Sequence, residues 1–558
     1  MREEILKLRR TLYAGPGYTV ALVEDLLGVE KVVVAPLLLP GRTGLLLASL
    51  TPENHPRYGL RYRVRESRPL EPEELSPGLL LPLLRRSFEA YLRLLAEAGH
   101  TAYPVYLLAS EVGLPEKEVL ALAKGEVVAA GGYVGLREHR QTEEAILQLA
   151  SRPGRGPRLL PPPGHGLTSS QERIFQVFQR GRLAALTGGP GTGKSHTVSA
   201  LLRSPSLQGY RVALAAPTGK AAKRLGDLSG REASTLHRLL RYVGDPAKPF
   251  LHHGGNPLPH DLVVVDEASM MDSFLAVHLL QALKPGALLL LVGDPHQLPP
   301  VGPGEPFPDL LPLLPRLHLT EVRRQGTESA VVRAAALLLE GREPLLAAPD
   351  FRLEMREASP EALAERAVAL HRELLAEVGE AVLLTATNGG ALGVHALNAR
   401  LQRLLNPRGP GLPVQGGLLA RVGDPLVATR NDYDLGLMNG EGVTVTHVDL
   451  GEGALGVVTR EGRALLVPAE SRDLLVHAYA LSVHRSQGSE WPGVVVVLHH
   501  YQKPLLSREL VYTALTRAKA KAVLLTTPKA LYLARERRAG RRHTWLKARG
   551  KIGTHEGA

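Results

Sequence analysis

Short apolar segments alternate with helix-like stretches through the middle of the chain. LAALTG, RVALAAP, DLVVVDE and ALLLLVGD are such segments, and all four lie between residues 183 and 294. Strands that are apolar on both faces and separated by helices are typical of a parallel sheet covered by helices on both sides. Each segment ends in a polar or glycine-rich loop, at the edge where open α/β sheets place their ligand sites. The pattern therefore predicts an α/β fold, and a second α/β half follows.

Other stretches divide the rest of the chain. Apolar residues at helical spacing in FEAYLRLLAEAG, VYLLASEV and EEAILQLA predict a helical domain over residues 88–150. Residues 151–166, SRPGRGPRLLPPPGHG, contain too much proline and glycine for a helix or a central strand, so we interpret them as a linker. The two α/β halves then occupy residues 167–325 and 326–534, and a basic tail follows over 535–558. A solvated chain end and a DNA contact both fit that tail.

Residues 1–87 form an N-terminal region of uncertain fold. AGPGYTVALVEDLLGV, residues 14–29, places a Gly-x-Gly before a predicted helix, which fits either a helix-hairpin-helix motif or a turn before a core helix. KVVVAPLLLPGRTGLLLASL, residues 31–50, predicts strands. We expect the N-terminal part of the chain to be mainly helical.

Composition narrows the class of protein. The 558 residues include no cysteine, which excludes disulfides, thiolate metal sites and cysteine nucleophiles. No apolar run is long enough to cross a bilayer, and the charged start MREEILKLRRTLY lacks the features of a secretory signal, so we expect a cytoplasmic protein. Lysine and arginine number 67 against 55 aspartates and glutamates, a net charge of +12 that favours a polyanionic partner such as nucleic acid.

A glycine-rich loop with one lysine follows the first apolar segment. GGPGTGKS, residues 188–195, lies between the strand-like LAALT and the helix-like SHTVSALLR, the context in which such a loop binds phosphate. Backbone N–H groups at the helix N-terminus attract phosphate oxygens. We expect Lys194 to reach the β- and γ-phosphates and Ser195 to bind Mg²⁺. The nucleotide-binding residues are then Gly188, Gly189, Pro190, Gly191, Thr192, Gly193, Lys194 and Ser195.

Two acidic residues and a glutamine follow the next strands. DLVVVDEAS delivers Asp266 and Glu267 to the end of a buried strand. Asp266 is expected to hold the metal with Ser195, and Glu267 to orient or deprotonate the attacking water. An Asp-Glu pair also fits a helix N-terminus. In LVGDPHQLPPVGPGEPF, the amide of Gln297 is placed to sense the γ-phosphate, although a stiff surface loop without function fits the same proline-rich residues.

Arginines in two later segments fit phosphoryl transfer. LTEVRRQ (319–325) and LVYTALTRAKAKAVLL (510–525) each place an arginine after a strand-like or helical stretch. An arginine that reaches across a cleft stabilises charge in the transition state, whereas either residue alone also fits an ordinary surface arginine. The residues to this point predict an ATPase, and a kinase or metabolic enzyme would show the same features.

Eight motifs occur in the order of superfamily 1 helicase motifs. They are LTSSQERIF, APTGKAAKRL, ASTLHRLL, the acidic strand, GDPHQLPPV, RRQ, LSVHRSQGSEW and YTALTRAK. DEASMMD, VGDPHQLPPVGPGEPF and VATRNDYDLGLMNGEG especially resemble the RecD-like DNA helicases, the 5′→3′ branch of that superfamily. The resemblance covers residues 88–525. It implies two RecA-like P-loop domains and an ATP-dependent DNA helicase that uses ATP and Mg²⁺ in DNA repair or recombination.

The resemblance also assigns roles to individual residues. Gln171 resembles an adenine-reading glutamine, and Gly488 is expected beside the nucleotide. Gln297, Arg324 and Arg517 resemble the γ-phosphate sensor and two arginine fingers. The residues expected to contact single-stranded DNA carry hydroxyl, amide, imidazole or backbone groups at loop tips: Pro217, Thr218, Lys220, Thr235, His237, Asn431, His484 and Gln487. For the two histidines, hydrogen bonding within a packed loop is the alternative.

Two insertions fit the same family. RYVGDPAKPFLHHGGNPLPH, residues 241–260, contains a Gly-Asn-Pro turn and predicts a short hairpin, which in the family is the pin that splits the duplex. Residues 413–470 alternate short strands with turns, and we expect a small β-barrel inserted in the second motor domain, capping the DNA channel.

The expected partners are single-stranded DNA, single/double-strand junctions, and repair or recombination proteins, with a monomeric chain and no membrane. Long RecD-like helicases have tandem helix-hairpin-helix motifs before the helical domain, and residues 1–87 show at most one candidate. Whether the chain grips duplex DNA by itself therefore stays open. Three alternatives remain: a motor subunit active only within a heteromeric recombination helicase-nuclease, an RNA-directed ATPase, and a binding protein with an inactive motor. No additional carboxylate cluster suggests a nuclease.

Overall fold

The structure is a computed structural model. It describes residues 2–15, 18–25, 30–35, 45–55, 59–69, 88–89, 91–93, 95–112, 114–245, 248–321, 329–344, 347–430, 432, 435–437, 439–459, 462–503, 505–539 and 542–552. Within these residues, no helix is long and apolar enough to cross a membrane.

The N-terminal region is a closed five-stranded barrel in the order β1-β2-β3-β5-β4. Its strands are β1 (Arg2–Gly15), β2 (Tyr18–Asp25), β3 (Glu30–Ala35), β4 (Leu45–His55) and β5 (Gly59–Pro69). The β1–β4 pairing closes the barrel, and the β3–β5 pair is parallel while the other pairs are antiparallel. This is the Greek-key arrangement of an OB-fold.

This barrel corrects two expectations. The described residues of the segment 14–29 lie in strands β1 and β2 rather than in the predicted helix, and the described residues between 2 and 69 are all in strands. In β2, Ala21 and Val23 face the barrel core, while Val20 and Leu22 on the other face are half-buried. A run that is apolar on both faces has no strand alternation, which is why its pattern also fitted a helix. The strands predicted within residues 31–50 are confirmed as β3 and β4.

The next unit combines helices with a small sheet. Residues 88–89, 91–93 and 95–97 are helical, and helices Val105–Val112, Glu116–Leu122 and Arg137–Ala150 follow. Between them, β6 (Tyr103–Pro104), β7 (Val127–Ala130) and β8 (Tyr133–Leu136) pair in the order β6-β8-β7. This sheet was not predicted from the sequence.

The first motor half is a parallel six-stranded sheet in the order β11-β10-β12-β13-β9-β14. Its strands are β9 (Leu183–Gly188), β10 (Val212–Ala216), β11 (Ala233–Thr235), β12 (Leu262–Val265), β13 (Leu288–Gly293) and β14 (Arg316–Leu319). Its helices are Ser169–Glu172, Lys194–Leu202, Gly219–Ser229, Leu236–Leu240, Ser273–Ala282 and Pro306–Leu310, with 3₁₀ turns at Arg173–Arg180, Pro205–Leu207 and Ala268–Met270. Val263 and Val265 pack on one face of the sheet, and Leu262 and Val264 pack on the other. Burial on both faces explains the unbroken apolar runs.

The second motor half has a six-stranded sheet in the order β15-β16-β27-β26-β17-β25. Its strands are β15 (Ala347–Ala348), β16 (Phe351–Met355), β17 (Ala381–Thr385), β25 (Ala480–Ser482), β26 (Trp491–Leu498) and β27 (Ala518–Thr526). Its helices are Ala330–Leu339, Pro360–Val378, Val394–Leu405, Arg508–Leu515 and Pro528–Glu536, with a 3₁₀ turn at His500–Gln502. Only the β15–β16 pair is antiparallel among the described strands of this sheet. The two halves are RecA-like domains.

A second all-β unit lies in sequence between β17 and β25. β18 (Gly411–Pro413) and β19 (Leu419–Arg421) form a hairpin. β20 (Pro425–Ala428), β21 (Gly442–Asp449), β22 (Ala454–Thr459), β23 (Ala464–Val467) and β24 (Leu475–His477) pair in the order β23-β22-β21-β20-β24, with a 3₁₀ turn at Ala469–Leu474. Among the described residues β23 and β24 are the two edge strands and do not pair with each other, so this sheet is open where a closed barrel was predicted.

The basic C-terminal segment is docked rather than solvated. The helix Trp545–Ile552 packs on the helices Arg137–Ala150 and Pro306–Leu310. Trp545, Leu546 and Ala548 are buried. The expectation of a solvated end is wrong for residues 542–552, because the helix presents apolar side chains between its charges. Residues 553–558 lie outside the described part of the chain.

Candidate active site

The glycine-rich loop joins β9 to the helix Lys194–Leu202. Gly191 and Gly193 have φ angles of 75° and 82°, a region that L side chains rarely adopt. A Cβ at Gly188 would lie 2.6 Å from Thr192 Oγ1 and 2.8 Å from the carbonyl oxygen of Leu319. Thr192 Oγ1 donates to the carbonyl of Gly189 at 2.8 Å. The glycines therefore permit a tight loop that ends at a helix N-terminus, where first-turn N–H groups lack intrahelical partners.

Lys194 is held at the mouth of this loop. Its Nζ donates to the carbonyl oxygens of Gly188 at 2.6 Å and Gly189 at 2.9 Å. Gln171 supports the loop through its amide nitrogen, which donates to the Thr192 carbonyl at 3.2 Å. Its amide oxygen accepts from the backbone N–H of Thr168 at 3.1 Å. Both ends of the Gln171 amide are thus used by the chain itself, which the expected adenine contact did not anticipate.

The two acids lie at the end of β12. The backbone N–H of Asp266 donates to the Ala215 carbonyl at 2.9 Å, and its Oδ1 accepts from the N–H of Glu267 at 2.9 Å. Glu267 has a φ of 51°, a left-handed conformation that is unfavourable for a non-glycine residue. Burial, with the neighbouring Glu267 charge, raises the pKa of Asp266 to about 6, against the opposing effects of Lys194 and Arg224. The carboxyls therefore lie where a further cation would be stabilised.

Mg²⁺ fits this donor set. Ser195, Asp266 and Glu267 line one cleft, and hydroxyl and carboxylate oxygens are the ligands that Mg²⁺ prefers. No group of three or more His, Cys, Asp or Glu side chains suited to a metal occurs in the described ranges. A site with one or two protein ligands is the kind that Mg²⁺ completes with waters and substrate phosphates.

Both motor halves line this cleft, which has a volume of about 690 Å³. The first half contributes residues 190–196, the two acids and Gln297, and the second contributes Gly488 and Arg517. The amide oxygen of Gln297 is buried and has no hydrogen-bond partner among the described residues. Arg517 is 2% exposed, and its guanidinium donates to the carbonyls of Thr513 at 3.1 Å and Ser489 at 3.3 Å. The expected sensor and one expected finger are therefore brought to the same cleft.

Sequence reasoning missed an ion pair in this cleft. Arg224 of the first half lies 2.9 Å from Glu490 of the second, and Lys519 lies 4.0 Å from the same carboxylate. Burial alone would lower the pKa of Arg224, yet the carboxylates of Glu490, Glu267 and Asp266 raise it. Arg224 and Glu490 lie in the motifs APTGKAAKRL and LSVHRSQGSEW, and Lys519 ends the motif YTALTRAK, so the sequence contained the pair without indicating it.

Three further contacts join the halves beside the cleft. Tyr512 Oη donates to Asp294 Oδ2 at 2.6 Å. The backbone N–H of Leu298 donates to Thr513 Oγ1 at 3.1 Å, and its carbonyl accepts from Gln487 Nε2 at 3.2 Å. The loop after β13, which carries Gln297, is thus attached to the second half.

The residues expected to contact DNA are spread over both halves. Thr218 and Thr235 cap helices, accepting from the backbone N–H groups of Ala221 and Arg238. His237 packs edge-on against Tyr242 at the base of the predicted hairpin, with ring centroids 5.7 Å apart, and burial lowers its pKa. His484 is exposed, whereas Gln487 is buried in the contact with Leu298.

Lys220 is placed differently from the other expected DNA residues. Its Nζ lies 4.7 Å from the centre of the Trp491 ring, and the residue lines the nucleotide cleft. The hairpin itself has antiparallel bridges between Tyr242 and Phe250 and between His253 and Asn256. Pro217 follows β10 directly. Arg324 and Asn431 lie outside the described residues.

The fold and this cleft define the class: a P-loop ATPase with two RecA-like domains of the helicase type. A family model described as an AAA domain matches residues 166–354, and one described as a UvrD-like helicase C-terminal domain matches residues 477–525. The chain is 35% identical over 449 residues to the RecBCD enzyme subunit RecD of Mycolicibacterium smegmatis, covering 73% of this chain and 79% of that protein. The chain belongs to the RecD family of helicases.

Other comparisons extend this result. The chain is 43% identical over 381 residues to the ATP-dependent RecD2 DNA helicase of Deinococcus radiodurans, covering 68% of this chain and 52% of that protein. It thus spans about half the length of that relative. A crystal structure of the Pif1 helicase from Candida albicans matches 70% of this chain and 99% of that chain, with 19% identity and a TM-score of 0.44.

Proposed function

We propose that this chain is an ATP-dependent DNA helicase that moves 5′→3′ on single-stranded DNA. The observation that carries the proposal is the shared cleft, in which the P-loop, the acidic pair and Gln297 of one half face Arg517 of the other. Because catalytic groups come from both halves, hydrolysis depends on how the halves are placed, and nucleotide binding can change that placement.

Each residue of the cleft has a role in this proposal. Lys194 and the N–H groups at the helix N-terminus bind the phosphates of ATP. Ser195 and Asp266 hold Mg²⁺, which neutralises charge on the β- and γ-phosphate oxygens. Glu267 orients the attacking water and accepts its proton. The Arg517 guanidinium releases the carbonyls of Thr513 and Ser489 and stabilises the negative charge that develops during phosphoryl transfer. Arg324 is proposed as the second arginine finger.

The coupling to DNA runs through the loop after β13. Gln297 faces the cleft, and the next residue, Leu298, is bonded to Thr513 and Gln487 of the second half. Gln487 directly precedes Gly488, which lines the cleft. The exposed His484 lies three residues before Gln487. In this proposal a change at the γ-phosphate passes from Gln297 to its chain neighbour Leu298, and through the Leu298–Gln487 hydrogen bond to the proposed DNA contacts of the second half. The grip of the two halves on the strand would alternate in this way.

The proposed partners are single-stranded DNA and single/double-strand junctions, with the hairpin 241–260 as the pin that separates the strands and the inserted sheet as a cap on the DNA channel. We place the protein in DNA repair or recombination, acting as a monomer. A second candidate is a motor subunit that works only within a heteromeric helicase-nuclease. It is supported by the 35% identity to a RecBCD enzyme subunit over 449 residues, which cover 79% of that protein.

Unwinding by the purified chain tests these proposals. Two duplexes are compared, one with a 5′ single-stranded tail and one with a 3′ tail, with Lys194→Ala as the inactive control. Opening of only the 5′-tailed duplex, lost in the control, is expected. Opening of only the 3′-tailed duplex would contradict the polarity. DNA-stimulated ATPase without unwinding of either duplex would favour the subunit function.

A further inference from the structure

An arginine from the C-terminal segment is buried against the motor. Arg542 is 7% exposed, and its guanidinium donates to the carbonyl oxygens of Pro300, Gly302 and Gly304. The backbone of Gly99 packs closely against this guanidinium. Its φ is +98°, and a Cβ at this position would lie 2.2 Å from Arg542 Nε, so a larger residue would not fit here. Burial lowers the pKa of Arg542 to about 10, so the side chain is still charged at neutral pH.

The three carbonyls belong to the loop that follows Gln297. This loop, PPVGPG over residues 299–304, has three prolines and two glycines and forms no helix or strand. Proline lacks an N–H donor, and buried carbonyls need hydrogen-bond partners from elsewhere. A guanidinium offers five donors in a fixed planar fork, which a lysine ammonium does not reproduce. Arg542 therefore supplies hydrogen-bond donors to three carbonyls of a loop that is poor in donors of its own.

The loop is held at both of its ends. Before it, Leu298 is bonded to Thr513 and Gln487 of the second half. At its other end, the backbone N–H of Gly304 donates to the Gly99 carbonyl at 2.9 Å, and the Pro303 carbonyl accepts from the N–H of Ser273 at 3.0 Å. Arg542 is bonded to Pro300 and Gly302 between these two anchors and to Gly304 at the second one.

The segment that carries Arg542 is anchored independently of the loop. Thr544 Oγ1 donates to Asp309 Oδ2 at 2.6 Å, and the backbone N–H of Leu546 donates to Glu143 Oε2 at 3.1 Å. Glu143 is buried and its other oxygen accepts from Ser273 Oγ at 2.7 Å. The guanidinium of Arg140 lies 5.4 Å from the Trp545 ring centre. Arg542 thus projects from a fixed support made by the helical domain and the first motor half.

We propose that Arg542 is a positioning residue for ATP hydrolysis: it fixes the loop 299–304 and thereby holds the Gln297 amide toward the nucleotide. The proposal rests on the proposed function and adds a residue that no motif in the sequence indicated. Arg542 does not line the cleft, so its effect passes through the loop rather than through contact with the nucleotide.

The matched variants are Arg542→Lys and Arg137→Lys in the full chain. Arg137 is exposed in the helical domain, and its guanidinium also donates to a backbone carbonyl, that of Gly125, away from the loop 299–304. We expect Arg542→Lys to lower the DNA-stimulated kcat for ATP about tenfold or more while KM stays within about twofold, since small misplacements of reacting groups cost rate rather than binding. Arg137→Lys should leave both parameters within about twofold of the parent chain.

A second readout uses the nucleotide-free protein. Amide hydrogen exchange over residues 296–305 should become faster in Arg542→Lys and stay unchanged in Arg137→Lys, because only the first variant releases the loop. Active fraction is measured in each preparation by titration with a non-hydrolysable ATP analogue. If kcat falls only in proportion to the active fraction, the role is structural and the proposal is overturned.

Two other outcomes are decisive. Faster exchange in Arg542→Lys with an unchanged kcat would show that hydrolysis does not need a fixed loop, which overturns the proposal. An inactive parent chain, with Arg137→Lys equally inactive, would instead mean that the proposed function has failed. The parent chain therefore separates the two failures.

Discussion

A buried hydrogen bond between Tyr512 and Asp294 joins the two motor halves. Tyr512 Oη donates to Asp294 Oδ2 at 2.6 Å, and the two residues are 5% and 1% exposed. Burial, together with the Asp294 charge, raises the pKa of Tyr512, so its hydroxyl is a proton donor at neutral pH. Tyr512→Phe removes only this hydroxyl and leaves the ring in the apolar cluster that surrounds it. The substitution therefore tests the hydrogen bond alone.

The expected size of the effect follows from burial and charge. A hydrogen bond to a charged group contributes about 1.5–3 kcal/mol. Asp294 Oδ1 keeps its bond from the His296 N–H at 3.0 Å, so only Oδ2 loses a partner. Because the bond exists only when the halves are docked, its loss should shift the docked-to-separated equilibrium about 10- to 150-fold toward separation, at roughly 1.4 kcal/mol per tenfold.

The absence of cysteine makes this shift measurable. Cysteines introduced at Leu313 in the first half and Tyr532 in the second, which are 53% and 60% exposed, can carry a fluorophore pair without competing thiols. Single-molecule energy transfer then counts docked and separated molecules in a urea series below the unfolding transition. Tyr106→Phe, at an exposed position of the helical domain, is the control and should leave the populations unchanged.

A double-mutant comparison provides the refutation. In an Asp294→Asn background the bond is neutral, and Tyr512→Phe should then cost only about 0.5–1.5 kcal/mol. An equal effect of Tyr512→Phe in both backgrounds would show that charge does not strengthen the bond. No population change in either background would show that the bond does not hold the halves together.

Three further predictions concern separate parts of the molecule. Lys194→Ala should abolish ATPase activity without changing the melting temperature, because within the described residues the Lys194 ammonium donates to the loop carbonyls of Gly188 and Gly189. A lowered melting temperature would point to a folding role. Burial lowers the pKa of His371 to about 4, so its contribution to stability is complete above pH 6.5 and is lost as the pH falls toward 4, about 3 kcal/mol in all. Between pH 7 and pH 4, the free energy of unfolding in urea should therefore fall less for His371→Leu than for the parent chain. For His447→Leu, at an exposed position, it should fall by the same amount as for the parent chain. Asp424→Asn should loosen the inserted sheet by about 3–5 kcal/mol, because this buried carboxylate accepts from Asn406, Tyr479 and His477. The loosening is measured as protease cutting at residues 425–477. The control is Asp449→Asn at the end of β21, where the carboxylate accepts from exposed N–H groups of the following turn.

The motor could be predicted from the sequence because its strands are buried on both faces. Runs such as DLVVVDE have few alternatives to a central parallel strand, and the glycines of the P-loop are required by backbone angles that the structure shows. The N-terminal barrel could not be predicted in the same way. Its strand β2, YTVALVED, is apolar on both faces as well, but Gly-x-Gly precedes it and an acidic pair ends it, so local pattern fitted a helix equally well.

The polar residues show a different limit of the sequence. A motif indicates which functional groups are present, but not all the partners that use them. Gln171 is predicted to bind the nucleotide, and the structure adds that its amide bonds the backbone of Thr168 and of Thr192 in the P-loop. The same holds in reverse for Arg542. In the sequence it belongs to a run of basic residues that fits a solvated tail, yet its partners are three carbonyls more than 230 positions earlier in the chain. Those carbonyls need a donor only because prolines and glycines keep their loop out of any regular structure, and that need arises only once the chain has folded.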